Sequence, residues 1–111
     1  MKAKIREVGG VQIIDLSGQL TIGGPEKVLK DTVTGLLNDG HTRILINMKG
    51  VDRIDSTGLG EMVACRFRVQ KKEGRLALVI PKGRVYDIFV ISKLITIFDI
   101  HEDEREAVAS F

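Results

Sequence analysis

Ile54-Asp55-Ser56-Thr57-Gly58-Leu59-Gly60 is the stretch on which the fold turns, because two patterns of different period meet in it. Upstream, Ile44-Leu45-Ile46 is an unbroken aliphatic run of the kind a strand buried on both faces shows, and Val51 and Ile54 follow it. Downstream, Leu59, Met62, Val63, Phe67 and Gln70 recur at helical spacing and read as one largely apolar side, with Glu61, Arg66, Arg68 and Lys72 mostly on others. The chain therefore passes from strand to helix inside this stretch. Asp55 or Ser56 is the expected N-cap, its side-chain oxygen accepting from amides of the first turn. In an open α/β sheet such a corner lies at the carboxyl end of a strand, where ligands and partners bind. The orphan amides of a helix N-terminus also make it a natural place for a phosphate.

Outward from this corner, strand and helix patterns alternate. Residues 3–8 and 11–17 read as short strands around Gly9-Gly10, a dipeptide suited to the positive φ of a tight hairpin turn. After Gly23-Gly24, Pro25 suits the first helical position, and Val28, Leu29, Val33, Leu36 and Leu37 form a stripe that ends near Asn38-Asp39-Gly40. A strand at 43–47, a helix at 57–73 and a strand at 75–80 come next. They are followed by a helix at 83–92 with Val85, Ile88 and Phe89 inward, a brief strand around 95–98 and a final helix at 102–110. Such alternation predicts one α/β domain over residues 1–111: a mixed, mainly parallel β-sheet with right-handed crossovers, an N-terminal antiparallel hairpin and about four helices.

The 111 residues are 43% apolar, enough for one core and too few for a second domain. Met1 to Val8 alternates charge and aliphatics and so does not read as a leader, and no apolar run approaches the ~18 residues of a membrane span. The expected location is cytoplasmic, with no direct insertion into a membrane. A lone cysteine, Cys65, excludes an internal disulfide and cannot by itself supply a zinc cage; among Met62, Val63 and Phe67 it reads as a buried structural thiol. Seventeen Lys plus Arg against 15 Asp plus Glu leave a net charge of +2, too small to argue for nucleic acid, and only Tyr86 and four Phe are available for base stacking. His41, in the loop before the central strand, and His101, near the start of the last helix, have no ligand or nucleophile partner at useful spacing and read as surface residues; no metal and no cofactor is expected.

Asp55-Ser56-Thr57-Gly58-Leu59-Gly60 resembles the D-S-[ST]-G-[LV]-G segment of STAS domains, in particular bacterial anti-sigma factor antagonists. The resemblance runs along nearly the whole chain. Gly18-Gln19-Leu20-Thr21 is similar to the family's turn after its second strand, Ile44-Leu45-Ile46-Asn47 to its central strand, and Gly74-Arg75-Leu76-Ala77-Leu78-Val79 to the strand after the motif helix. It implies a phosphorylation-switched regulator of transcription. In the family, the serine aligned with Ser56 is phosphorylated by an anti-sigma factor that is also a serine kinase, and the unphosphorylated form captures that kinase and releases a sigma factor. A phosphatase acting on phospho-Ser56 would reset the switch. The implied contact set is Asp55, Ser56, Thr57, Gly58, Leu59 and Gly60, with Thr21 and Gly23 from the earlier turn, and Thr57 is the second choice of acceptor. Asn47 stands where many members have Asp, which takes one charge from the expected neighbourhood of the serine while leaving an amide that can hydrogen-bond.

Each of these residues also has a plainer reading. Ser56 alone is an ordinary N-cap, worth about 0.5–2 kcal/mol. A phosphate there adds about −1.5 to −2 charges, which the fold tolerates at a helix N-terminus and a partner surface shaped for a hydroxyl does not. Gly58 and Gly60 in a first helical turn each cost ~1 kcal/mol relative to Ala, for the sake either of close approach by a partner's backbone or of tight packing on the sheet. Asp55 orients the hydroxyl, binds a kinase's magnesium or simply caps. Arg66, Arg68, Lys71 and Lys72 form either a receiver for an acidic partner or a solvated face. A small hydrolase built on Asp55 and Ser56 is the weakest reading: Ile54 replaces the first glycine of a nucleophile elbow, and Gly23-Gly24-Pro25 lacks the lysine of a P-loop. A STAS subunit of a larger signalling scaffold or lipid-transport complex is the alternative within the family.

Overall fold

The computed structural model describes residues 1–111. β1 (Lys2–Val8) and β2 (Val11–Leu20) pair antiparallel across Gly9 and Gly10, whose φ angles of 58° and 78° are the positive values the turn requires. Then follow α1 (Pro25–Asn38), β3 (Arg43–Ile54), α2 (Ser56–Lys71), β4 (Arg75–Val79), α3 (Arg84–Ile91), a one-turn 3-10 helix (Leu94–Thr96), β5 (Asp99–His101) and α4 (Glu104–Ala109). The five strands lie in sequence order, and every pair after the first hairpin is parallel. This is the predicted mixed α/β sheet with four α-helices.

Strand alternation sorts the apolar residues onto two unequal faces. Ile14, Ile44, Ile46 and Leu78 meet Leu29, Val33, Leu36 and Leu37 of α1, Met62, Cys65 and Val69 of α2, and Val85 and Phe89 of α3 in a core of 21 buried residues. Ile13, Leu45, Ala77 and Val79 point the other way, where only Ala107, Val108 and Phe111 cover them. Leu45 between Ile44 and Ile46 thus explains the unbroken aliphatic run, since its two faces meet different helices.

Several boundaries move. β2 and β3 continue past residues 17 and 47 to Leu20 and Ile54, through register shifts near Ser17 and Gln19. Lys49, Gly50, Asp52 and Arg53 mask this continuation in sequence, because they break the apolar run while the backbone pairing goes on. The strand expected at 95–98 is a 3-10 turn entered through Lys93 at φ 68°, and pairing with β4 begins at Asp99 instead. His101 accordingly lies at the end of β5, and α4 starts behind Asp103, whose carboxylate accepts from the Glu106 amide at 2.9 Å.

Candidate partner-binding site

Leu20 of β2 and Ile54 of β3 are register partners, so the two loops leaving these strands start side by side. Asp55 ties them together. Its amide donates to the Leu20 carbonyl at 3.3 Å, and its carboxylate accepts from the amide of Gly58 at 2.8 Å and from that of Ile22 at 3.0 Å. One side chain therefore caps α2 and fixes the β2–α1 turn, bringing Thr21 and Gly23 beside the motif. These donated amides, Ile22 first and Gly58 second, hold the Asp55 carboxyl below its ordinary value of 3.8.

Of the two expected caps, Asp55 fills the role. Ser56 is the first residue of α2 and is exposed, so its hydroxyl is not spent on the cap, and the 0.5–2 kcal/mol expected of a capping Ser56 belongs to another side chain. Thr57 is only partly exposed, one position further in. The first turn of α2 itself contains no acid, so the only carboxylate at this positive end of the helix dipole is the capping Asp55.

The two glycines separate. A Cβ on Gly58 would overlap the Leu20 carbonyl and lie 3.0 Å from Ile54 Cγ1, so packing against β2 and β3 demands glycine there. Around Gly60 nothing lies within 4 Å. No internal contact explains that glycine, and its position is exposed. Leu59 between them is partly buried against the core.

Val63 and Phe67, expected inside, lie outside: α2 buries Gly58, Met62, Cys65 and Val69, while Phe67 is 62% exposed with the Lys71 ammonium 5.7 Å above its ring. Ser56, Gly60, Val63 and Phe67 thus form one outward stripe at helical spacing. Ile22, 70% exposed and held through its amide by Asp55, was not singled out by any pattern. Its signal in the sequence is a lone aliphatic residue in a glycine-rich turn. The basic residues of α2 are partly engaged, Arg68 with Glu61 at 2.7 Å and Arg66 with Gln70 at 3.4 Å. Cys65 is buried, and burial pushes its thiol up to about 12.

Two other groups lie away from the corner. Asn47 is on the opposite face of the sheet, where its Nδ2 donates to Glu104 at 3.3 Å and its Oδ1 accepts from the Lys49 amide at 3.0 Å. Six strand residues lie between it and Ile54, a span of roughly 20 Å, so it does not act on the serine's surroundings. At the C-terminal edge, Asp99, His101 and Ser110 approach one another, but Asp99 Oδ1 at 2.9 Å and Ser110 Oγ at 3.4 Å share the same nitrogen, Nε2. A hydrolytic triad needs the carboxylate on one ring nitrogen and the nucleophile on the other, and Ser110 here donates to the Ala107 carbonyl at 2.6 Å. His41 sits exposed in the loop before β3. No helix is long and apolar enough to cross a membrane.

Known proteins share this architecture. A Thermotoga neapolitana protein proposed to be an anti-sigma factor antagonist is 32% identical over 101 residues, covering 91% of this chain and 89% of the relative. The crystal structure of a Thermotoga maritima protein with the same proposed role superposes with a TM-score of 0.88 at 27% identity, over 97% of this chain and 92% of that one. SpoIIAA of Bacillus, solved in its phosphorylated form, has the same fold at 21% identity, with a TM-score of 0.73 over 98% of each chain. The STAS domain family model matches residues 2–107, and the chain belongs to the STAS domain family.

Proposed function

We propose that this protein is an anti-sigma factor antagonist that works by binding, and that phosphorylation of Ser56 switches it off. In its unphosphorylated form it binds an anti-sigma factor that doubles as a serine kinase, and a sigma factor is released; a phosphatase acting on phospho-Ser56 restores it. The chain acts in the cytoplasm as a single STAS domain without catalysis of its own. The observation that carries the reading is the division of labour at the corner. Asp55 does the capping and the loop-tying, so Ser56 is exposed at the first position of a helix whose first turn holds no acid. A phosphate on Ser56 meets orphan amides and the positive end of the dipole, and the fold accepts it. A partner closing over Thr21, Gly23 and Asp55 to Gly60 must instead desolvate that charge.

The relatives support the binding role, and the likeness to SpoIIAA, a protein solved in a phosphorylated form, supports the chemistry. The test is to isolate the protein with whatever co-purifies, add ATP, and map phosphate by peptide mass. Modification of Ser56 by a co-purifying kinase is the expected result. Modification of Thr57 alone would move the acceptor, and co-purification with transport or scaffold subunits but no kinase would overturn the assignment in favour of a larger assembly.

A further inference from the structure

Two adjoining clefts lie between the far half of β3 and the start of α3. The larger, about 510 Å³, is lined by Arg53 and Arg84 together with the nearly buried Ile54 and Val85, and Gln19, Asp52 and Ile88 complete it. The smaller, about 340 Å³, shares Asp52, Arg84 and Val85 and adds Lys49 and Lys82. All four cations are exposed, and none takes part in the chain's five ion pairs. Lys82 alone has an internal partner, its ammonium lying 4.9 Å over the Tyr86 ring. Of the six other arginines, Arg6, Arg68 and Arg75 are each bound to a carboxylate, while Arg43, Arg66 and Arg105 are not.

We propose that this double cleft is a docking groove for an acidic segment of a partner protein. Carboxylates of the segment pair with Arg53 and Arg84, and an apolar side chain between them rests on Ile54 and Val85. Four cations face one acid, Asp52, so the groove selects negative charge. A guanidinium fork matches a carboxylate in two parallel hydrogen bonds. The apolar lining between the arginines suits a peptide side chain and gives a phosphate backbone nothing to hold. Base stacking has no free ring here, since Tyr86 is covered by Lys82. A bilayer surface reads protruding cations better than cations lining clefts. The proposal holds whether or not Ser56 is phosphorylated.

The experiment is an amide-shift titration of the full chain with the capped peptide acetyl-Glu-Glu-Leu-Glu-Glu-amide. Its Gln-for-Glu counterpart, an oligo-dT of eight nucleotides and phosphatidylglycerol vesicles form separate arms at equal ionic strength. Shifts centred on Arg53, Arg84 and Val85 are expected with the glutamate peptide and not with the glutamine one, and they weaken as salt is added. Arg53→Gln and Arg84→Gln should each lower affinity about fivefold and leave melting unchanged, since neither side chain has an internal ion pair. Equal binding of the glutamine peptide, shifts centred elsewhere, or unchanged affinity in both variants would overturn the proposal. So would tighter binding of the oligonucleotide or the vesicles through the same arginines, which assigns the groove to a different partner.

Discussion

Helices α2 and α4 both start behind an aspartate that accepts an amide three residues on, Asp55 from Gly58 at 2.8 Å and Asp103 from Glu106 at 2.9 Å. Past the cap they part. The first turn of α4 carries Glu104 and Glu106, and Glu104 is gripped by Arg6, which also binds Asp15, and by Asn47. The first turn of α2 carries no acid, and its exposed positions are Ser56 and Gly60. Negative charge is favoured at both ends by the helix dipole. At α4 the chain supplies that charge and uses it to lock a short helix onto the thinly covered face of the sheet. At α2, which the larger core already holds, the chain supplies no charge beyond the capping Asp55. On the proposed function, the α4 lock and the α2 switch differ by where the first-turn acid comes from.

The largest effect should come from breaking the rigidity of the α2 corner. Gly58→Ala sets a methyl against the Leu20 backbone carbonyl and should cost about 3 kcal/mol because neither β2 nor the helix can give way cheaply. Gly60→Ala has open space and should stabilise by up to ~1 kcal/mol, while weakening any partner that closes on that position. Chemical denaturation of the two variants gives opposite signs if the glycines have separate reasons. Equal and small effects would mean that the corner is soft.

Next in size is Ser56→Asp. Added charge at the first helical position should leave folding within ~0.5 kcal/mol, yet lower affinity for the partner by about tenfold or more, since a carboxylate must be desolvated in the contact. Calorimetric melting beside titration separates the two. Should Asp at this position unfold the domain, or bind as well as Ser, the corner is not a charge switch and its contrast with α4 loses its meaning.

On the α4 side, Arg6→Gln removes the group shared by Asp15 and Glu104 and should cost about 1 kcal/mol, discounted because these side chains are about one-third exposed. The loss should appear first as amide exchange in α4. The pH dependence has a definite sign. Hydrogen bonding from Arg6 lowers the Glu104 carboxyl from its ordinary 4.5, against the opposing pull of burial. A depressed carboxylate contributes stability that is fully present above its unfolded value and lost as pH falls through the folded one. Wild type should therefore loosen at α4 below about pH 4.5, and the Arg6→Gln variant should show a smaller acid effect. An unchanged acid profile would show that the Arg6–Glu104 contact does not hold the helix.

How much of this contrast was legible in the sequence depends on where the deciding contact lies. The corner was readable because strand and helix periods collide within a few residues, and Ile44-Leu45-Ile46 announced burial on both faces. The choice of Asp55 over Ser56 as cap was not readable, because it rests on a second bond to Ile22, more than 30 residues away. The spacing of Phe67 fits an apolar stripe, but rotation of α2 about Met62, Cys65 and Val69 puts it outside. Ile95 to Phe98 has a strand's composition, but the turn at Lys93 and the register with β4 shift the strand to Asp99–His101. The Arg6–Glu104 lock joins the first strand to the last helix, a distance in sequence that no local pattern reports.

The smallest effect tests the comparison most sharply. If Ser56 were the cap, Ser56→Ala would cost up to about 2 kcal/mol. With Asp55 filling that role, alanine at the exposed first position should change stability by less than ~0.5 kcal/mol. Ala is also a good helix former, which offsets whatever the hydroxyl contributes through water. The variant should bind the partner as well as wild type and resist phosphorylation, remaining a permanently active antagonist. Asp55→Ala is the control. It loses both the Gly58 and the Ile22 bonds, so it should melt below Ser56→Ala and weaken binding by freeing the turn that carries Thr21 and Gly23. Thermal melts of the two variants above pH 6, where both carboxylate and hydroxyl are in their working forms, give the ranking directly. A Ser56→Ala protein that melts with or below Asp55→Ala would place the cap on the serine and overturn the division of labour between the two side chains.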